Sequence, residues 1–209
     1  MPQKILYLDA VTTGYNPNRH SIYRIGGIIE ADGIETKRFE LKVRPWNDSP
    51  IASASLWISG ETRTSVETFP EQAAVFAKFI EIINSQVDLY DMNDKMYIAS
   101  FNASQNEIPF LKAWFNRNHN THFADYFHLQ GLDLGVIASF ALMDKRKWLR
   151  NFHEQTVAEY LGVRRRASRE FSCLDGARTS LEMYHALRVS LGFDDNGPAE
   201  EIRETERNF

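Results

Sequence analysis

The chain is poor in cysteine, has no long apolar run, and carries no excess of positive charge. Its single cysteine, Cys173, excludes an internal disulfide framework and fits a reducing compartment. No apolar stretch approaches the roughly 20 residues needed to cross a bilayer, so no membrane span is expected. The N-terminus, Met1-Pro2-Gln3-Lys4, runs straight into strand-like sequence without the apolar centre of a signal peptide. A cytoplasmic location is therefore the expectation. Formal net charge is -4, so the molecule as a whole does not attract nucleic acid, and any such binding needs a local basic surface or bound cations. Internal repeats are missing, and no Ser/Pro linker divides the chain. Its 209 residues, 43% hydrophobic, suffice for one sizeable core. The expectation is one domain over residues 1–191, with a polar, loosely packed tail over 192–209 that has no apolar period.

What the chain does have begins at Lys4-Ile5-Leu6-Tyr7-Leu8-Asp9, a nearly all-apolar strand ending in a carboxylate, followed by Val11-Thr12-Thr13-Gly14. Such a run suits a central strand buried on both faces. An acid at its carboxyl end either faces the crevice where open α/β sheets bind ligands or caps a turn. Ile22–Glu30 reads as a second strand, Ala31-Asp32-Gly33 as a hairpin turn, and Ile34–Val43 as a third strand with Phe39, Leu41 and Val43 on one face. Pro45–Glu67 reads as an irregular connection. A helix opens near Phe69 with Thr68 as its N-cap, its inward stripe being Ala73, Phe76, Ala77, Ile80 and Ile83. Met96–Phe101 is a fourth buried strand, Asn102–Asn106 a turn, Ile108–Phe115 a helix, and Asn116–His128 a loop. A short strand at Leu132-Asp133-Leu134 precedes helices near Gly135–Met143, Phe152–Tyr160 and Ser172–Val189. Three strands of antiparallel type followed by alternating helices and strands predict an α/β fold, a mixed sheet flanked by helices.

Several groups stand out chemically. Arg164, Arg165, Arg166 and Arg169 form a basic loop that either neutralises phosphates or is an ordinary solvated face. Trp57 either stacks on a base or packs in the interior. His119 and His122 are three apart, close enough on a turn to share a metal, but no third ligand stands near them. Cys173 is expected to be buried and unreactive.

In this order the stretches resemble the DEDD 3′–5′ exonucleases, the proofreading and oligoribonuclease type with a ribonuclease H-like fold. The family's first motif, Asp-x-Glu-Thr-Thr-Gly, is matched by Asp9-Ala10-Val11-Thr12-Thr13-Gly14. Its second, Asn-Ala-x-Phe-Asp, is matched by Asn102-Ala103-Ser104-Gln105-Asn106-Glu107, with Asn106 or Glu107 in the acid's place according to where the count starts. Leu132-Asp133 matches a further Asp. The third motif, His-x-Ala-x-x-Asp, is matched by Glu170-Phe171-Ser172-Cys173-Leu174-Asp175, with Glu170 in place of the histidine. Phe171 falls where a sister subfamily has tyrosine.

The resemblance implies a site that takes Mg²⁺ or Mn²⁺ on Asp9, Glu107 and Asp175, with Glu170 as a substitute proton acceptor. It also implies a substrate groove built from Thr12, Thr13, Trp57, Asn102, Arg164, Arg165 and Arg166, the threonines offering backbone N–H groups to a terminal nucleotide. Two cations that clamp a scissile phosphate need oxygen ligands, and Val11 provides none where the family has glutamate. Two readings follow: a pseudo-exonuclease that binds single-stranded nucleic acid or a protein partner, or an active exonuclease with a rearranged site.

Overall fold

The computed structural model describes residues 3–164 and 171–193. The expectations for Arg165, Arg166, Arg169, Glu170 and nearly all of the polar tail lie outside the described residues.

Strand β1 (Lys4–Thr12) is the centre of a mixed sheet. It pairs antiparallel with β2 (Ile22–Ala31), which pairs antiparallel with β3 (Ile34–Lys42). On its other side β1 runs parallel to β4 (Met96–Ser100), which carries the two-residue β5 (Leu132–Asp133). Among the described residues the sheet has five strands in the order β3-β2-β1-β4-β5.

The period of two in β1 sorts its side chains between two cores. Leu6 and Leu8 face one layer, formed by α3 (Gln72–Asn84) and α4 (Glu107–Arg117), where Phe76, Phe79, Trp114 and Phe115 pack edge to face. Ile5 and Tyr7 face the other layer, formed by α6 (Leu134–Ala141), α7 (Glu154–Tyr160) and the long α8 (Cys173–Ser190). Burial of both faces explains why the strand reads as an unbroken apolar run. Buried Glu30 on β2 is satisfied by the Tyr7 hydroxyl at 3.1 Å and by His185 of α8 at 2.8 Å.

Four sequence expectations are corrected. The connection 45–67 contains two short helices, α1 (Ser53–Ser59) and α2 (Arg63–Glu67). Gly60, at φ 68°, closes α1, and Thr62 and Ser65 form a reciprocal capping box that opens α2. Thr68 ends α2 instead of starting α3, whose N-cap is Glu71. The inward stripe of α3 is accordingly Val75, Phe76, Phe79, Ile82 and Ile83, leaving Ala73 and Ala77 exposed. The large rings decide the helix's rotation: Phe79 sits between Phe39 of β3 and Trp114 of α4. The expected loop 116–128 carries the four-residue α5 (Phe123–Tyr126). Phe39, Leu41 and Val43 are buried together, as their alternation requires. Among the described residues no helix is long and apolar enough to cross a membrane.

Helix α8 lies unusually close to the sheet. A Cβ added at Gly26 of β2 would stand 2.7 Å from the backbone carbonyl carbon and Cβ of Cys173. Because backbone cannot swing aside, Gly26→Ala is expected to cost roughly 1–3 kcal/mol by overpacking. Urea unfolding should show a lower midpoint with an unchanged slope.

Candidate nucleic-acid cleft

Pairing of β1 with β4 ends at Tyr7–Ala99, yet β1 continues to Thr12. The strands therefore part at their carboxyl ends, and the crevice between them is where an open α/β sheet receives a ligand. Asp9 stands at this mouth, directly opposite Gly26 of β2.

The start of α8 is held over the same spot. The Ser172 hydroxyl accepts the Leu174 and Asp175 N–H groups at 3.1 and 3.4 Å. Glu40 of β3 accepts from the Ser172 hydroxyl and the Cys173 N–H, both at 2.9 Å. A carboxylate against the first turn of an 18-residue helix is favoured by the helix dipole. These bonds fix Cys173 on Gly26 and bring Gly176 onto Asp9, where an added Cβ would lie 2.3 Å from Asp9 Oδ2. Gly176 thus packs its bare backbone against the Asp9 carboxylate.

Two clefts meet here. The larger, of about 620 Å³, is lined by Asp9, Asn102, Asn106, Glu107, Glu154 and Gly176 among others. The smaller, of about 250 Å³, is lined by Asp9, Val11, Thr12, Tyr15, Ile58, Asn106, Glu154 and Gly176. Asp175 lines neither. Both residues left open for the second motif reach the larger cleft. Glu107 is the more constrained: it is buried, accepts the Ser100 hydroxyl at 2.6 Å, and lies 3.3 Å from the Asn106 amide nitrogen. Burial, with the charge of Asp9 added, pushes its carboxyl up to about 8 against the bonds from Ser100 and Asn106.

The remaining expected residues divide. Asn102, in the left-handed region at φ 66°, lines the larger cleft, and Thr12 lines the smaller. Thr13 departs from expectation. It is fully buried, its N–H donates to the Ser21 carbonyl at 2.8 Å, and its hydroxyl accepts the Ser21 N–H at 3.0 Å. That N–H is committed to holding the turn against β2. Trp57 is 85% exposed, which removes the interior reading. It lines a hollow with Arg24 and Lys42 that shares Ile58 and Phe171 with the smaller cleft beside Asp9. Arg164 is exposed and lines a hollow that shares Glu154 and Gln155 with the larger cleft. Asp133 acts as a structural acceptor, taking the Gly135, Val136 and Ser104 N–H groups at 3.1, 3.3 and 3.1 Å. His122 contacts Asp125 at 2.7 Å, and His128 stacks on Tyr97.

Sequence reasoning missed Glu154, Tyr15 and Ile58. Only Glu154 left a trace, as an acid in the first turn of a helix just ahead of the basic loop. Among the described residues no three His, Cys, Asp or Glu side chains are grouped so as to hold a metal ion. Gly176 and Val11, both beside Asp9, provide no side-chain oxygen.

The sheet order, the parallel β1–β4 pair and the long closing helix define a ribonuclease H-like α/β fold. Solved structures of exonuclease I share it. The product-bound form matches with a TM-score of 0.70 and 15% identity, over 90% of this chain and 44% of that one. The E. coli enzyme in complex with a dT13 oligonucleotide matches with a TM-score of 0.71 and 15% identity, over 91% and 42%. The complex of exonuclease I with SSB-Ct matches with a TM-score of 0.70 and 14% identity, over 92% and 42%. The chain thus spans less than half the length of these enzymes, and at this identity the likeness speaks for the fold. No protein-family model matches the chain, and no curated protein does.

The Glu107 carboxyl sets a pH dependence. Its folded value, about 8, exceeds the ordinary value of 4.5, so the folded state binds the proton more tightly. This stabilisation is complete below pH 4.5 and is lost as pH rises through about 8. Glu107→Gln keeps the neutral hydrogen-bonding group and removes the titration. The melting temperature of the variant minus that of the wild type should therefore rise with pH across that window. A difference that stays flat would contradict the assignment.

Proposed function

We propose that this chain is an exonuclease-like protein with a degraded two-metal site, a pseudo-exonuclease that binds single-stranded nucleic acid, a protein partner, or both. The observation that carries the reading is Gly176 against Asp9. Two cations held at Asp9 need several oxygen ligands, and Gly176, packed on its carboxylate, has none to give. Val11, buried in the apolar cluster with Tyr23 and Cys173, withholds a second. At most a single, weakly held Mg²⁺ or Mn²⁺ is left to Asp9 and a deprotonated Glu107. The loss of a proton acceptor alone typically lowers a rate by about 10²–10⁴; missing ligands lower it further.

Binding is the function that outlasts such losses. The exonuclease I structures include one with an oligonucleotide and one with SSB-Ct, and both partner types are carried over here as proposals. Thr12, Tyr15 and Ile58 offer a small cleft for a strand end beside Asp9.

A second reading has one observation in its favour: Glu154 lines both clefts together with Asp9. An active exonuclease with a rearranged site would draw on Asp9, Glu107 and Glu154, with Asp175 and Glu170 as the further acids the sequence offers.

Incubation of 5′-labelled single-stranded DNA and RNA with Mg²⁺ or Mn²⁺ separates the two. The first reading expects intact oligonucleotide and salt-sensitive binding that persists in Asp9→Ala. Stepwise shortening that vanishes in Asp9→Ala would overturn it in favour of the second.

A further inference from the structure

The cleft is lined by acidic side chains, so the attraction for a phosphate backbone has to come from beside it. Helix α6 ends in a 3-10 turn, Met143–Trp148, followed by Leu149 and Arg150. The stretch reads Met-Asp-Lys-Arg-Lys-Trp-Leu-Arg, four bases against one acid. Lys145, Arg146 and Lys147 are exposed and make no ion pair among the described residues. Only Arg150 is engaged, by the Thr156 hydroxyl at 3.1 Å and Glu159 at 3.6 Å.

Solvated charge runs are common, but this one is interleaved with large rings. Trp148 is 71% and Phe140 70% exposed, although the chain has ample core for both. Lys147 sits over the Trp148 ring at 5.2 Å. Arg146 sits over the Phe152 ring at 4.5 Å, and Phe152 lines the larger cleft. Through Arg146 and Phe152 the basic stretch reaches the cleft that holds Asp9.

We propose that this surface is a single-strand nucleic-acid track. Lys145, Arg146 and Lys147 take successive phosphates, Trp148 and Phe140 take bases, and the strand passes Phe152 into the cleft. The chemistry is that of sequence-tolerant single-strand binders, a basic groove that follows the backbone with aromatic faces for the bases. The inference rests on the nucleic-acid reading above and names the surface that carries it. Val136 and Met143 extend the exposed face of α6, so an acidic, apolar peptide is the competing occupant.

The test is fluorescence anisotropy of a labelled oligo-dT in EDTA across a salt titration, with the wild type, Lys145→Glu/Arg146→Glu/Lys147→Glu, and Trp148→Ala. Loss of three phosphate contacts makes the slope of log K against log salt shallower by about 2 and weakens binding by about tenfold or more at low salt. Trp148→Ala weakens binding roughly 5- to 150-fold and leaves the slope unchanged. All four side chains are exposed, so melting temperatures should hold. If the triple variant unfolds, Trp148→Ala decides alone. Wild-type binding that both variants leave intact overturns the track and spares the cleft. No wild-type binding overturns both. Loss of acidic-peptide binding with oligonucleotide binding intact makes the surface a peptide dock and overturns the track.

Discussion

The close approach of the first turn of α8 to β1 and β2 is the constraint on which the rest depends. It is made possible by glycine at 26 and 176 and secured by Glu40, whose carboxylate takes a hydroxyl and an N–H from the helix start. Hydrogen bonds that involve a charged acceptor are the stronger kind. With the helix seated so low, the backbone of Gly176 lies against the Asp9 carboxylate. The same contact that packs the domain therefore determines what the cleft can hold.

Burial, with the charge of Asp9 added, also holds the Glu107 carboxyl toward its neutral form. Glu107 accepts hydrogen bonds from the Ser100 hydroxyl and the Asn106 amide, and lies buried near the charge of Asp9. The arrangement meets the rule that a buried acid is either partnered or uncharged. It has the character of a structural group that has kept its place in the sheet's mouth.

Much of the scaffold was legible in the sequence, because buried strands have a strong signature. The apolar run Ile5–Leu8, the Asp32-Gly33 hairpin and the alternation of Phe39, Leu41 and Val43 each mark an element that the fold contains. The failures have physical causes. Ala73 and Ala77 fit a helical stripe by spacing, but spacing says nothing of volume, and the rings of Phe76 and Phe79 turn the helix. Thr13 looked available because its N–H follows a strand; only the β1–β2 turn shows that Ser21 occupies it. The entry of Glu154 into the cleft depends on how α7 packs, a contact between distant segments that no local pattern encodes.

The distribution of charge follows from the same geometry. A molecule with net charge -4 that binds a polyanion must do so through a local field, since exposed charges more than about 8–10 Å apart are largely screened at physiological salt. Lys145, Arg146 and Lys147 provide such a field within one turn of chain, and the Arg146–Phe152 contact sets it at the rim of the cleft. A phosphate that moves inward from there meets Asp9 and Glu154. Below pH about 8 it does not meet a third full charge at Glu107. Burial of that carboxyl thus lowers the repulsion that an oligonucleotide in the cleft would face.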